Sequence, residues 1–79
     1  MTTQSTLSNS TTEIMINGEP RTIAQNTTVA ALIAELGLKP ERLAIEYNLE
    51  ILPRRTWDET ILKSGDRLEI VHFVGGGSH

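Results

Sequence analysis

Leu68-Glu69-Ile70-Val71-His72-Phe73-Val74-Gly75-Gly76-Gly77 is the stretch of this 79-residue chain on which the fold turns. Leu68 and Ile70 alternate with Glu69, Val71 and Phe73, the period of two that sends successive side chains to opposite faces of a strand. The segment is long enough to lie in the middle of a sheet, and it runs straight into three glycines.

Outward from that strand the elements can be placed one by one. Ser64-Gly65-Asp66 is a turn signal. Trp57 to Leu62 is short enough for a single helical turn, with Trp57 and Ile61 expected to pack back on the core. Ile51-Leu52 makes a short strand, and Pro53, which has no N–H to give a ladder, puts its end at a sheet edge or exit. Leu43, Ile45 and Tyr47 alternate with Ala44, Glu46 and Asn48, so that strand has one buried face. Val29, Leu32, Ile33 and Leu36 recur at helical spacing and share one face of a helix. Thr27 or Thr28 can cap its free N–H groups, and Gly37 fits the left-handed closing position. Ile14-Met15-Ile16 and a run ending at Ile23 flank Asn17-Gly18, the pair that supplies the two positive φ values of a type I′ hairpin turn.

The order strand, strand, helix, strand, short strand, strand defines an α+β fold. A mixed sheet of four or five strands is expected, with one main helix and the N-terminal hairpin beside the last strand. One helix covers one face of such a sheet. The other face would carry Val71 and Phe73 beside charged Glu69, a candidate docking surface unless a loop covers it. Residues 1–12 contain eight Ser or Thr and a lone Leu7, too little apolar surface to offset the entropy of ordering, and are expected to be a disordered arm. Residues 13–74 form the domain, and 75–79 a flexible glycine-rich tail.

Composition excludes several functions. A chain this short has room for one core and no deep substrate cavity. A net charge of −3, with Arg54-Arg55 as the only basic doublet, is wrong for nucleic acid, and there is no span for a membrane. The absence of cysteine removes disulfides, thiolate nucleophiles and thiolate metal sites. His72 and His79 have no third ligand at suitable spacing, so no metal is implied and His72 is expected at a strand rim. Asp58-Glu59 and Arg54-Arg55 are adjacent in sequence and belong to a solvated surface. Trp57 and Tyr47 are core or core-edge residues, since one of each makes no stacking platform. No residue is a catalytic candidate.

The Asn17-Gly18 hairpin, the Thr28-Val29 helix entry, the Ser64-Gly65-Asp66 turn and the final strand running into glycines together resemble the ubiquitin-like β-grasp fold. The ending from Glu69 to Gly77 closely resembles the ThiS family, sulfur carriers of the thiamine pathway. The resemblance covers about residues 14 to 77, and it implies a carrier rather than an enzyme. The carboxylate of Gly77 would be adenylated by a ubiquitin-activating-type (ThiF-like) enzyme using ATP. It would then become a thiocarboxylate that gives sulfur to a ThiG-like thiazole synthase. Gly75 and Gly76 would be threaded into both partners, glycine having no side chain to obstruct a channel and accepting any φ and ψ the partner imposes. Val71 and Phe73 would help to dock the domain. The chain itself would bind no cofactor, be a monomer alone and work in the cytoplasm. Ser78-His79 depart from the family ending. They are expected to be a tag remnant, or an extension removed by a protease, because only a terminal glycine offers a carboxylate. A molybdopterin-synthase small subunit or a tRNA-thiolation carrier would share this chemistry. A β-grasp binding module would use its surface alone.

Overall fold

Asn17 and Gly18 have φ values of 51° and 84°, both left-handed, and the turn they make closes the first hairpin. Its strands are β1, Thr11–Ile16, and β2, Glu19–Ala24, paired antiparallel from Thr11 opposite Ala24 to Ile16 opposite Glu19. The computed structural model describes residues 11–73; the expectations for residues 1–10 and 74–79 lie outside the described residues. β1 begins at Thr11, two residues inside the stretch read from composition as an arm. Thr11 and Thr12 have high strand propensity and a full set of partners in β2, and pairing outweighs their polarity.

The helix, α1, runs Val29–Glu35. Its free N–H groups are all met. Val29 N–H donates to the Thr60 carbonyl at 2.9 Å, Ala30 N–H to that of Trp57 at 3.0 Å, and Ala31 N–H to Oγ1 of Thr28 at 3.1 Å. Thr28 is therefore the cap, while the Thr27 hydroxyl turns back to the Ala24 carbonyl. At the other end Gly37, at φ 74°, donates to Ala34 at 3.0 Å, and Leu38 donates to Ile33 at 3.1 Å. This pair of bonds closes the helix and lets half-buried Leu38 fold back on the core.

A 3-10 turn at Pro40–Arg42 leads into β3, Leu43–Tyr47, and a two-residue turn leads on to β4, Glu50–Ile51. After a second 3-10 turn at Arg54–Thr56 the chain reaches β5, Arg67–His72. The sheet has five strands in the order β2-β1-β5-β3-β4, with β5 in the centre, parallel to β1 and antiparallel to β3. This is the mixed β-grasp sheet with one main helix expected from the element order.

Ile14, Ile23, Leu43, Ile45, Leu68 and Ile70 from the sheet meet Val29, Leu32 and Ile33 from α1, all buried, with Trp57 and Leu62 closing the end. Each such aliphatic side chain contributes about 1.5–3 kcal/mol by leaving water. Trp57 is fixed by its indole N–H, which donates to the Leu52 carbonyl at 3.0 Å. Ile61, expected to pack inward with Trp57, is exposed, and Leu62 takes the core position. The segment here is extended, with Thr28 and Ile61 bridged antiparallel, so neighbouring side chains point oppositely and only one of the two can face inward.

Candidate functional site

β5 splits by face. Leu68 and Ile70 enter the core, whereas Arg67, Glu69, Val71 and Phe73 lie on the face away from α1. Val71 is 52% exposed and Phe73 58% exposed, so no loop of the described residues covers them. Phe73, the last described residue, is still held to the sheet, its N–H donating to the Arg42 carbonyl at 2.9 Å. Val74 and the glycines follow Phe73 in sequence, directly after the central strand.

The register fills out this face. Val71 is opposite Ala44, Glu69 is opposite Glu46, and Glu46 is in turn opposite Ile51. Ile51, 68% exposed, therefore joins Val71 and Phe73 on one surface, and the two carboxylates stand side by side between them. Ile51 had been legible only as a strand residue. Its face is fixed by the turn Asn48-Leu49, with φ values of 50° and 75°, a type I′ geometry hidden because leucine stands where glycine is usual.

The turn before β5 is built around Asp66. Its Oδ2 accepts from the Tyr47 hydroxyl at 2.7 Å and from Lys63 N–H at 2.8 Å, and its Oδ1 from the Asn48 carboxamide at 3.3 Å. Burial first, and then the bond to and charge of Asp66, push the Tyr47 phenol up to about 12. Tyr47 stays a neutral donor and pins β3 to the start of β5.

Asn17 does more than turn the hairpin. Its Oδ1 accepts from Ile70 N–H at 2.7 Å and its Nδ2 donates to the Ile70 carbonyl at 3.4 Å, so the side chain continues the β1 ladder along β5 after the backbone has turned away. Nothing in the Asn-Gly signal reveals this second role. His72 is exposed at the end of β5, and among the described residues no three His, Cys, Asp or Glu side chains gather as a metal site.

A five-stranded mixed sheet with one main helix and β5 at its centre defines the ubiquitin-like β-grasp class. The chain belongs to the ThiS family, whose model matches residues 14–77. The sulfur carrier protein ThiS of Bacillus subtilis is 35% identical over 65 residues, covering 81% of this chain and 98% of that protein. A crystal structure of the thiamine biosynthesis protein ThiS from Geobacter metallireducens superposes with a TM-score of 0.72 at 35% identity, covering 82% of this chain and 99% of the other. A thiazole synthase of Paramagnetospirillum magneticum is 46% identical over 66 residues, 84% of this chain but 20% of that protein. The chain thus spans about a fifth of the length of the thiazole synthases it matches over most of its own length. The chain thus shares its family, over nearly their whole length, with ThiS proteins described as sulfur carriers. No helix among the described residues is long and apolar enough to cross a membrane.

Proposed function

We propose that this chain carries sulfur for thiazole formation in thiamine biosynthesis, on the carboxyl group of Gly77. A carboxylate is a poor electrophile until it is joined to a good leaving group. In the reaction proposed, a Gly77 carboxylate oxygen attacks the α-phosphorus of ATP in an adenylating partner and pyrophosphate departs. A donor carrying sulfur at the sulfide level then displaces AMP and leaves a thiocarboxylate. Thiazole synthase takes that sulfur. The ATP site belongs to the partner, and the carrier works in the cytoplasm beside it.

The observation that carries this reading is the extent of the family match, which includes the central strand and all three glycines through Gly77. The thiazole synthases in which a fifth of the protein is similar to this chain support thiazole synthase as the recipient. Gly75 and Gly76 give the tail its passage into both enzymes. Val71 and Phe73, with Ile51, provide the apolar docking surface, and Glu46 and Glu69 between them favour a partner that brings a cation.

The test is intact mass. A version ending at Gly77, incubated with an adenylyltransferase of the ubiquitin-activating type, ATP and a sulfur donor, should gain the mass of sulfur minus oxygen. The version ending in Ser78-His79 should stay unmodified unless a protease trims it, since a mid-chain amide has no free oxygen to adenylate. Equal modification of the two, or of neither, removes the carrier reading and leaves a module that works by its surface.

A further inference from the structure

The backbone of β5 is paired on both sides for only part of its length. Arg67 and Phe73 bond toward β3, through Asn48 N–H to the Arg67 carbonyl at 2.9 Å and Phe73 N–H to the Arg42 carbonyl at 2.9 Å. The alternate residues face β1. Asp66 accepts from Met15 at 2.9 Å, Leu68 accepts from Asn17 at 2.8 Å, and Ile70 exchanges both its bonds with the Asn17 carboxamide. His72 is the next residue of that series. Its N–H and C=O point to the β1 side, where the chain has already turned back at Asn17-Gly18, and among the described residues neither group has a partner. Beside this gap is a groove of about 350 Å³ that shares Asn17 with it. Ile16, Pro20 and Leu36 line the groove together with the polar Glu19 and Arg21.

We propose that the β1-side edge of β5 at His72 is a strand-addition site for an extended segment of the adenylating partner. One side chain of that segment enters the groove beside Asn17. The proposal rests on the carrier reading. The occupant is an extended peptide because the edge offers one donor and one acceptor from one residue, as a ladder does. The same pair at Ile70 is already met by an amide, the side chain of Asn17. An anion would meet the N–H alone. The residues that follow Phe73 include the three glycines, so a protein that takes up that tail comes close to this edge of the strand before it.

The test separates backbone from side chain. His72→Pro removes the outward N–H and no bond to β3, so the fold should survive with its melting temperature within about 3 °C of the parent. Titrated against an adenylyltransferase that modifies the chain ending at Gly77, His72→Pro should bind about tenfold more weakly, and His72→Ala, which keeps the N–H, within about twofold. By amide exchange His72 should exchange fast in the free chain, unlike Val71 and Phe73, and become protected in the complex. Parental affinity in His72→Pro, or an equal loss in His72→Ala, overturns the proposal while the carrier reading stands. Should His72→Pro fold poorly, the exchange measurement decides, and an unprotected His72 in the complex overturns the proposal alone. A chain ending at Gly77 that no such enzyme modifies overturns the carrier reading, and this site with it.

Discussion

The Tyr47 hydroxyl donates a 2.7 Å hydrogen bond to Oδ2 of Asp66, joining the end of β3 to the turn from which the central strand starts. Tyr47→Phe keeps the ring and removes the bond. Because the acceptor is a charged carboxylate, a loss of about 1.5–3 kcal/mol is expected at neutral pH. The phenol, raised from 10.0 to about 12, is favoured in its neutral form by folding. Its contribution is therefore complete below the unfolded value near 10 and is lost as pH rises through about 12. Denaturant melts across that range should fall more steeply for the parent than for Tyr47→Phe, and the tyrosinate absorbance of the single tyrosine should follow the same step. A titration near the ordinary value would mean that the bond is absent in solution.

Leu49 is held at φ 75° with its side chain 80% exposed, so it bears left-handed strain and returns little packing. Leu49→Gly places the usual Asn-Gly pair in this type I′ turn and should raise stability by about 1 kcal/mol, the relief of strain exceeding the added chain entropy. A lower midpoint in urea would show that Leu49 contacts something the free domain already holds.

The two hairpins explain why one half of the sheet was easier to derive than the other. Asn17-Gly18 announces a turn of two left-handed residues, and the register of β1 and β2 follows from it. Asn48-Leu49 adopts the same geometry under a sequence that hides it, so the face of Ile51 emerges only in the folded sheet. The core was legible because Val29, Leu32 and Ile33 and the alternating strands state their periods plainly. Ile61 and Leu62 are neighbours of like character, and no period distinguishes them. The carboxamide of Asn17 and the cluster at Asp66 join residues 53 and 19 positions apart, and such pairings are set by three-dimensional register. The glycines read as a carrier's tail only by resemblance, since by composition they would serve equally as a linker.

Glu46 and Glu69 lie directly opposite in neighbouring strands, a like-charge pair that a sheet ordinarily avoids. Glu69→Gln should stabilise the free domain by about 0.5 kcal/mol at low ionic strength, and less as salt screens the repulsion. If the pair serves to meet a cation of the partner, the same change should slow association with the adenylating enzyme, most clearly at low salt. Stability gained with an unchanged association rate would take these carboxylates out of the docking surface.

Val71 and Phe73 lie on the open face, more than half exposed, while Ile33 of α1 is fully buried. The two classes should therefore respond oppositely to substitution. Ile33→Ala leaves a cavity under the helix and should cost about 2–5 kcal/mol of stability, without changing the affinity of the molecules that remain folded. Val71→Glu or Phe73→Glu empties no core position and should cost about 1 kcal/mol or less. Val71→Glu nonetheless puts a third carboxylate next to Glu69, and each change removes apolar area from the candidate interface. Binding to the adenylating enzyme should then fall by about tenfold or more for each, as at the centre of other interfaces. Thermal melts read beside binding titrations separate the cases. A large melting loss with unchanged affinity of the folded fraction would assign Val71 and Phe73 to holding the sheet together, and Ile51, on the same face but at its far edge, would become the residue to substitute next.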